Sequence, residues 1–140
     1  MGRLQGVQIL LVEDAKDIRD AFTLLLETEG AEVVAPGGGR KAVEITTECD
    51  FDVVLTDLGL PDVPGDLVIR QVKATARRPP WIVVVTGVGE PFIGRARNAG
   101  ADMVLTKPIA WSLLIDRLVP MLRRGKRPDR SANILQSRAA

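Results

Sequence analysis

FDVVLTDLGLPDVPG, residues 51–65, decides the fold. An apolar, β-branched run over residues 51–56 stops at an acid, Asp57, and passes straight into a loop punctuated by Gly59, Pro61, Pro64 and Gly65. A short apolar run bounded by turn residues reads as a strand buried on both faces. The residues after the loop, with Leu67, Val68 and Val72 at helical spacing, read as a helix.

Working outward, the same unit recurs on both sides. Towards the N-terminus, VQILLVE at 7–13 is an apolar run ending in Glu13-Asp14. Asp14 is placed as an N-cap with Asp17 at the capping-box position, opening a helix with Ile18, Ala21, Phe22, Leu25 and Leu26 inward and Gly30 as its stop. Residues 31–35 form a second strand, 36–39 a loop, and 40–49 a helix with Ala42, Val43, Ile45 and Cys49 inward. Towards the C-terminus, WIVVVT at 81–86 is a strand, followed by a helix at 90–99 that Gly94 weakens. Residues 102–105 make a last strand. Residues 109–124 make a last helix, with Leu114, Ile115, Leu118 and Leu122 inward and Pro120 near its end.

Five β/α units in strict alternation imply a parallel sheet covered by helices on both faces. That is the doubly wound, flavodoxin-like three-layer α/β/α fold, and five strands favour the order 2-1-3-4-5. In such folds ligands bind outside the carboxyl ends of the strands, beside the switch point.

Composition narrows the chemistry. The chain has 140 residues, one cysteine, no histidine and no tyrosine. A Ser-His-Asp triad, a His or thiol metal cluster and a phosphohistidine donor are thereby excluded from it. Cys49 is expected to be a small buried hydrophobe. No apolar run reaches the length of a membrane span, and the N-terminus lacks the pattern of a signal peptide. The chain is therefore expected to be cytoplasmic and not membrane-bound. Residues 1–120 carry 13 basic and 17 acidic side chains, whereas 121–140 carry six basic and one acidic. One domain over 1–124 and a basic tail or linker over 125–140 are expected. A nucleic-acid partner is not, since aromatic stacking surface is scarce.

The strand ends carry the chemistry. Glu13 and Asp14 follow the first strand, Asp57 the third, Thr86 closes the fourth, and Lys107-Pro108 follow the fifth. Singly, each has an ordinary reading as a cap, a turn former or a solvated charge; their joint occurrence at one rim does not. Acids so close would repel and raise one another's pKa unless a cation sat among them. Neutralising Asp14 or Asp57 is therefore expected to stabilise the metal-free protein. Hard oxygen ligands with open positions suit Mg²⁺, with Asp57 as nucleophile and Lys107 and Thr86 as partners of phosphoryl oxygens.

The stretches ILLVEDAKDIR, VVLTDLGLPDVPGD, VVVTG and GADMVLTKPI resemble the motifs of receiver domains of two-component response regulators, over about residues 7–124. The resemblance implies that Asp57 is the phosphoacceptor, that Thr86 and Lys107 ligate the phosphoryl group, and that the Lys107–Pro108 bond is cis. It implies that Glu13, Asp14, Asp57 and the backbone carbonyl of Gly59 hold Mg²⁺. It also implies a sensor histidine kinase or histidine phosphotransfer protein as partner, a homodimer on phosphorylation, and no enzymatic turnover beyond self-phosphorylation and self-dephosphorylation. Two departures from the family stand out, at three positions. Val104 stands where Tyr or Phe usually acts as a rotameric switch. Gly59 and Val88, flanking the path of a hydrolytic water, can neither orient nor deprotonate it, so a long-lived phosphorylated state is expected.

Three other readings compete. An Asp-dependent phosphohydrolase of the haloacid-dehalogenase type would need a second acid where Gly59 stands. A dinucleotide-binding domain would need G-x-G-x-x-G after the first strand, but Gly37-Gly38-Gly39 and Gly87-Val88-Gly89 lie elsewhere, with Ala42 and Phe92 at the third-glycine positions. The opening segment around Leu4-Gln5-Gly6 is also similar to the junction that precedes receivers in hybrid sensor kinases, which leaves a module excised from such a kinase open.

Overall fold

The computed structural model describes residues 2–124. The expected tail at 125–140 lies outside them. Five strands, β1 (Gln8–Val12), β2 (Glu32–Val34), β3 (Val53–Thr56), β4 (Trp81–Thr86) and β5 (Met103–Thr106), alternate with five helices. The helices are α1 (Lys16–Thr28), α2 (Gly39–Glu48), α3 (Gly65–Thr75), α4 (Phe92–Ala99) and α5 (Trp111–Arg123). All pairings are parallel and the order is β2-β1-β3-β4-β5, as expected.

The strands bury both faces, and alternation along them sorts the side chains into two cores. Ile9, Leu11, Val53, Leu55, Val83 and Val85 point to one side, where Leu26 of α1 and Leu114, Ile115 and Leu118 of α5 meet them. Leu10, Val12, Val54, Ile82 and Val84 point to the other, against Ala42 of α2, Val68 and Val72 of α3 and Ala96 of α4. The opening segment is part of the first core. Leu4 is fully buried and its N–H donates to the Glu29 carbonyl at 2.8 Å. Gly30, at φ 94°, turns the chain where a Cβ would strike Gln5 at 2.9 Å or closer.

Several expectations need correction. The N-cap of α1 is Ala15, with no side-chain cap, so neither Asp14 nor the Asp17 capping box opens that helix. Of its expected inward face only Leu26 is buried; Ile18 and Leu25 are exposed, while Phe22 packs on Trp111 of α5 with ring centroids 6.1 Å apart. The α1 face instead borders a surface groove with Ile109 and Trp111. Cys49 is exposed, because it is the C-cap of α2 and the chain has already left helical register there. In α2 the buried positions are Gly39, Ala42 and Thr46.

Candidate functional site

Parallel pairing in register sets the strand ends side by side. Val12 pairs with Thr56, and Thr86 with Thr106. The residues one step beyond, Glu13, Asp57 and Lys107, therefore share one rim with Thr86. Beyond the ladder, the Asp57 N–H still donates to the Val12 carbonyl at 3.2 Å and the Lys107 N–H to the Thr86 carbonyl at 2.8 Å. The Lys107–Pro108 bond is cis, as the resemblance implies, and a second cis bond joins Glu90 to Pro91.

Lys107 joins the acids. Its Nζ lies 2.9 Å from Asp57 Oδ2 and 3.1 Å from Glu13 Oε1. Glu13 is buried and Asp57 half-buried. The other carboxylate oxygen, Asp57 Oδ1, accepts from the backbone N–H groups of Leu58 at 2.6 Å and Gly59 at 3.2 Å. Thr86 is fully buried, and its hydroxyl oxygen accepts from the Val88 N–H at 3.3 Å. Asp14 is exposed and its carboxylate is not drawn into this group. Among the described residues no three acids are gathered as a metal-binding set. The structure thus brings together Glu13, Asp57, Thr86 and Lys107, places Gly59 on the rim, and leaves Asp14 exposed beside them in sequence.

The electrostatics reverse one expectation. Burial alone would push the Asp57 carboxyl up, but the Lys107 ammonium, the Thr86 hydroxyl and the Gly59 N–H outweigh it and hold it below its usual 3.8. Burial would likewise lower Lys107, but Asp57 and Glu13 raise it above 10.5. Even without metal, the ionised form of Asp57 is favoured by the fold. Neutralising it should not stabilise the metal-free protein, because a cation from the protein itself already sits between the acids.

Two contributors escaped the sequence reading. Arg19 of α1 donates from Nη1 to the backbone carbonyls of Glu13 at 2.9 Å and Asp14 at 3.3 Å. Asp62, on the loop after Asp57, accepts from the N–H groups of Gly39 and Arg40 at 3.0 Å each and so caps α2 from 23 residues away. Those bonds hold its carboxyl below the usual range. Arg19 had a local signal, since helical side chains lean towards the N-terminus and the acid pair lies about one turn upstream. Asp62 had none, because its partners are remote in sequence. Val104, at the position of the family's aromatic switch, is half-buried against the second core.

Comparison with known proteins gives a consistent answer. The response regulator receiver domain family matches residues 9–119. The cell cycle response regulator CtrA of Brucella ovis is 30% identical over 120 residues, which are 86% of this chain and 52% of that protein. The chain thus spans about half the length of the curated relatives it matches. A CheY-like receiver domain protein from Methanospirillum hungatei superposes with a TM-score of 0.80 at 27% identity, covering 86% of this chain and 96% of that one. The receiver domain of a sensor histidine kinase from Pseudomonas aeruginosa, crystallised with magnesium coordinated in its active-site cleft, gives 0.73 at 27% identity, covering 81% and 94%.

Proposed function

This chain belongs to the response regulator receiver domain family, and on that premise we propose that Asp57 accepts a phosphoryl group from a phosphohistidine partner and thereby switches the domain in a two-component relay. The carrying observation is the bridge of Lys107 to Asp57 and Glu13 at 2.9 and 3.1 Å. A carboxylate held ionised at neutral pH is a competent nucleophile. The partner, on this reading, is a sensor histidine kinase or a histidine phosphotransfer protein. The domain occupies 1–124 and the basic residues 125–140 serve as tail or linker, a division supported by the match to 9–119 and by the end of α5 at Arg123.

In the transfer, a bond forms between a carboxylate oxygen of Asp57 and phosphorus while the bond from phosphorus to the donor imidazole breaks. The donor leaves as neutral imidazole once its nitrogen holds a proton from solvent. Lys107 is placed to stabilise a phosphoryl oxygen by charge, and the buried Thr86 hydroxyl to donate to another. The Leu58 and Gly59 N–H groups hold the Asp57 carboxylate through one of its oxygens, Oδ1, and so fix its orientation.

The donor set fits Mg²⁺. Glu13 and Asp57 already face a common cation, and hard carboxylate oxygens that leave positions open are the ligands this ion takes. Glu13, Asp14, Asp57 and the Gly59 carbonyl would hold it. When bound, it supplies charge neutralisation at the phosphoryl oxygens. On this reading the domain is a signalling phosphoacceptor whose own chemistry is self-phosphorylation and self-dephosphorylation.

The test is intact mass after incubation with acetyl phosphate and Mg²⁺, with Asp57→Asn and EDTA as controls. An adduct of one phosphoryl group in wild type alone is expected. An adduct that persists in Asp57→Asn, or forms equally in EDTA, refutes the reading.

A further inference from the structure

We propose that Arg19 is a positioning residue that fixes the Glu13-Asp14 strand end in the geometry needed for a divalent cation, an inference that rests on the reading of the site above. The segment from Glu13 to Ala15 is the short link between β1 and α1, and it carries two of the acids assigned to the cation. No backbone N–H of a described residue outside the helices and strands donates to the carbonyl of either acid. The guanidinium does so instead, at 2.9 and 3.3 Å. The remaining contact within the link is weaker, from the Ala15 N–H to Glu13 Oε2 at 3.4 Å.

The guanidinium is held for this task. Arg19 is half-buried, and its N–H continues α1 by donating to the Ala15 carbonyl at 2.9 Å. The loop before α2 also approaches that nitrogen, since a Cβ at Gly37 would lie 3.5 Å from Nη1. Among the described residues, no carboxylate lies within ion-pair distance of Arg19. A half-buried guanidinium spent on two carbonyls rather than on a carboxylate is fixing backbone. Outer groups that orient ligands commonly change metal affinity by about 10–100-fold when removed.

Charge and position predict opposite signs here, which makes the idea testable. A cation beside a cation site repels the incoming ion, so deleting Arg19 would tighten Mg²⁺ binding if charge were its only effect. If it positions the ligands, deletion weakens binding. The experiment is calorimetric titration of Mg²⁺ into the full chain at fixed ionic strength, for wild type, Arg19→Met, Arg19→Gln, Arg19→Lys and Asp57→Asn. Melting in EDTA is recorded alongside, with hydrogen exchange at the amides of residues 14–16.

We expect Arg19→Met and Arg19→Gln to raise the Mg²⁺ dissociation constant at least 10-fold and to speed exchange at 14–16. Arg19→Lys should recover part of the affinity through one donor. Dissociation constants within twofold of wild type, or lower, overturn the proposal. If Arg19→Met does not fold in EDTA, Arg19→Gln and Arg19→Lys decide by the same criteria. Wild type that binds no Mg²⁺, or binds no better than Asp57→Asn, would instead sink the reading of the site, and this proposal with it.

Discussion

Replacing Lys107 with Met removes the ammonium while keeping an unbranched side chain of similar length, and it should be costly in the absence of metal. The Glu13 and Asp57 oxygens both touch one nitrogen, so they lie no more than about 6 Å apart; two unit charges at that distance and an effective dielectric near 20 repel by about 3 kcal/mol. The Lys107 side chain is a quarter exposed, which allows some relief by water, and a loss of about 2–3 kcal/mol is expected, below the 3–5 seen when a fully buried pair is broken. For a domain of this size that is a fall in Tm of roughly 10 °C. The pH dependence carries a sign. In wild type the Asp57 pKa is lowered, so its contribution is present above its usual 3.8 and is lost as pH falls through the folded value. The Lys107 pKa is raised, so its contribution is present below 10.5 and is lost as pH rises through the folded value. The wild-type bridge is therefore intact at neutral pH. In Lys107→Met the facing carboxylates raise one another's pKa, so the mutant gains stability on acidification and its deficit narrows as pH falls from about 7 towards 4. Thermal melts in EDTA across that range, repeated with saturating Mg²⁺, are the assay. Equal Tm for the two proteins at pH 7 without metal, or a deficit that ignores pH, would refute the electrostatic account of the rim.

Two further outcomes are expected. The phosphorylated state should be long-lived, because neither Gly59 nor Val88 can orient water or act as a base; Val88→Glu or Gly59→Asn, the latter into open space, should speed loss of phosphoryl label, and general-base help is worth about 10²–10⁴-fold where it operates. Unchanged decay in both would show that water positioning from these sites does not limit the lifetime. Asp62→Ala should lower the Tm and speed hydrogen exchange at the Gly39 and Arg40 amides at pH 7, since their acceptor is gone; undiminished protection there would mean that α2 is capped in some other way.

The fold was legible because its strands are buried on both faces. The run at 81–86 carries no competing period, and β4 spans the same residues. Other ends shifted by a residue or two where ladder bonds stop before the apolar run does, as at Phe51, which is buried yet precedes β3. The failures have specific causes. Asp14 looked like a helix cap because Asp often is one, but it lies in the link that follows β1, and the cap position falls one residue later, on Ala15. Cys49 looked inward by extrapolating helical spacing past the point where α2 ends. At the site, spacing identified Glu13, Asp57, Thr86 and Lys107, since parallel strands bring their ends together. That Lys107 bridges two acids could not be read from spacing, because it depends on side-chain reach across the rim. The expected upward shift of the Asp57 carboxyl is reversed for that same reason.

The exposure of Cys49 at the end of α2 bears on any measurement of assembly. The chain has no second cysteine, so oxidation in air can join it only to another molecule, and only at one point. Such a covalent pair would have the mass of a dimer and would form without regard to Asp57. A homodimer attributed to phosphorylation must therefore survive a reducing agent, and Cys49→Ser separates the two origins directly.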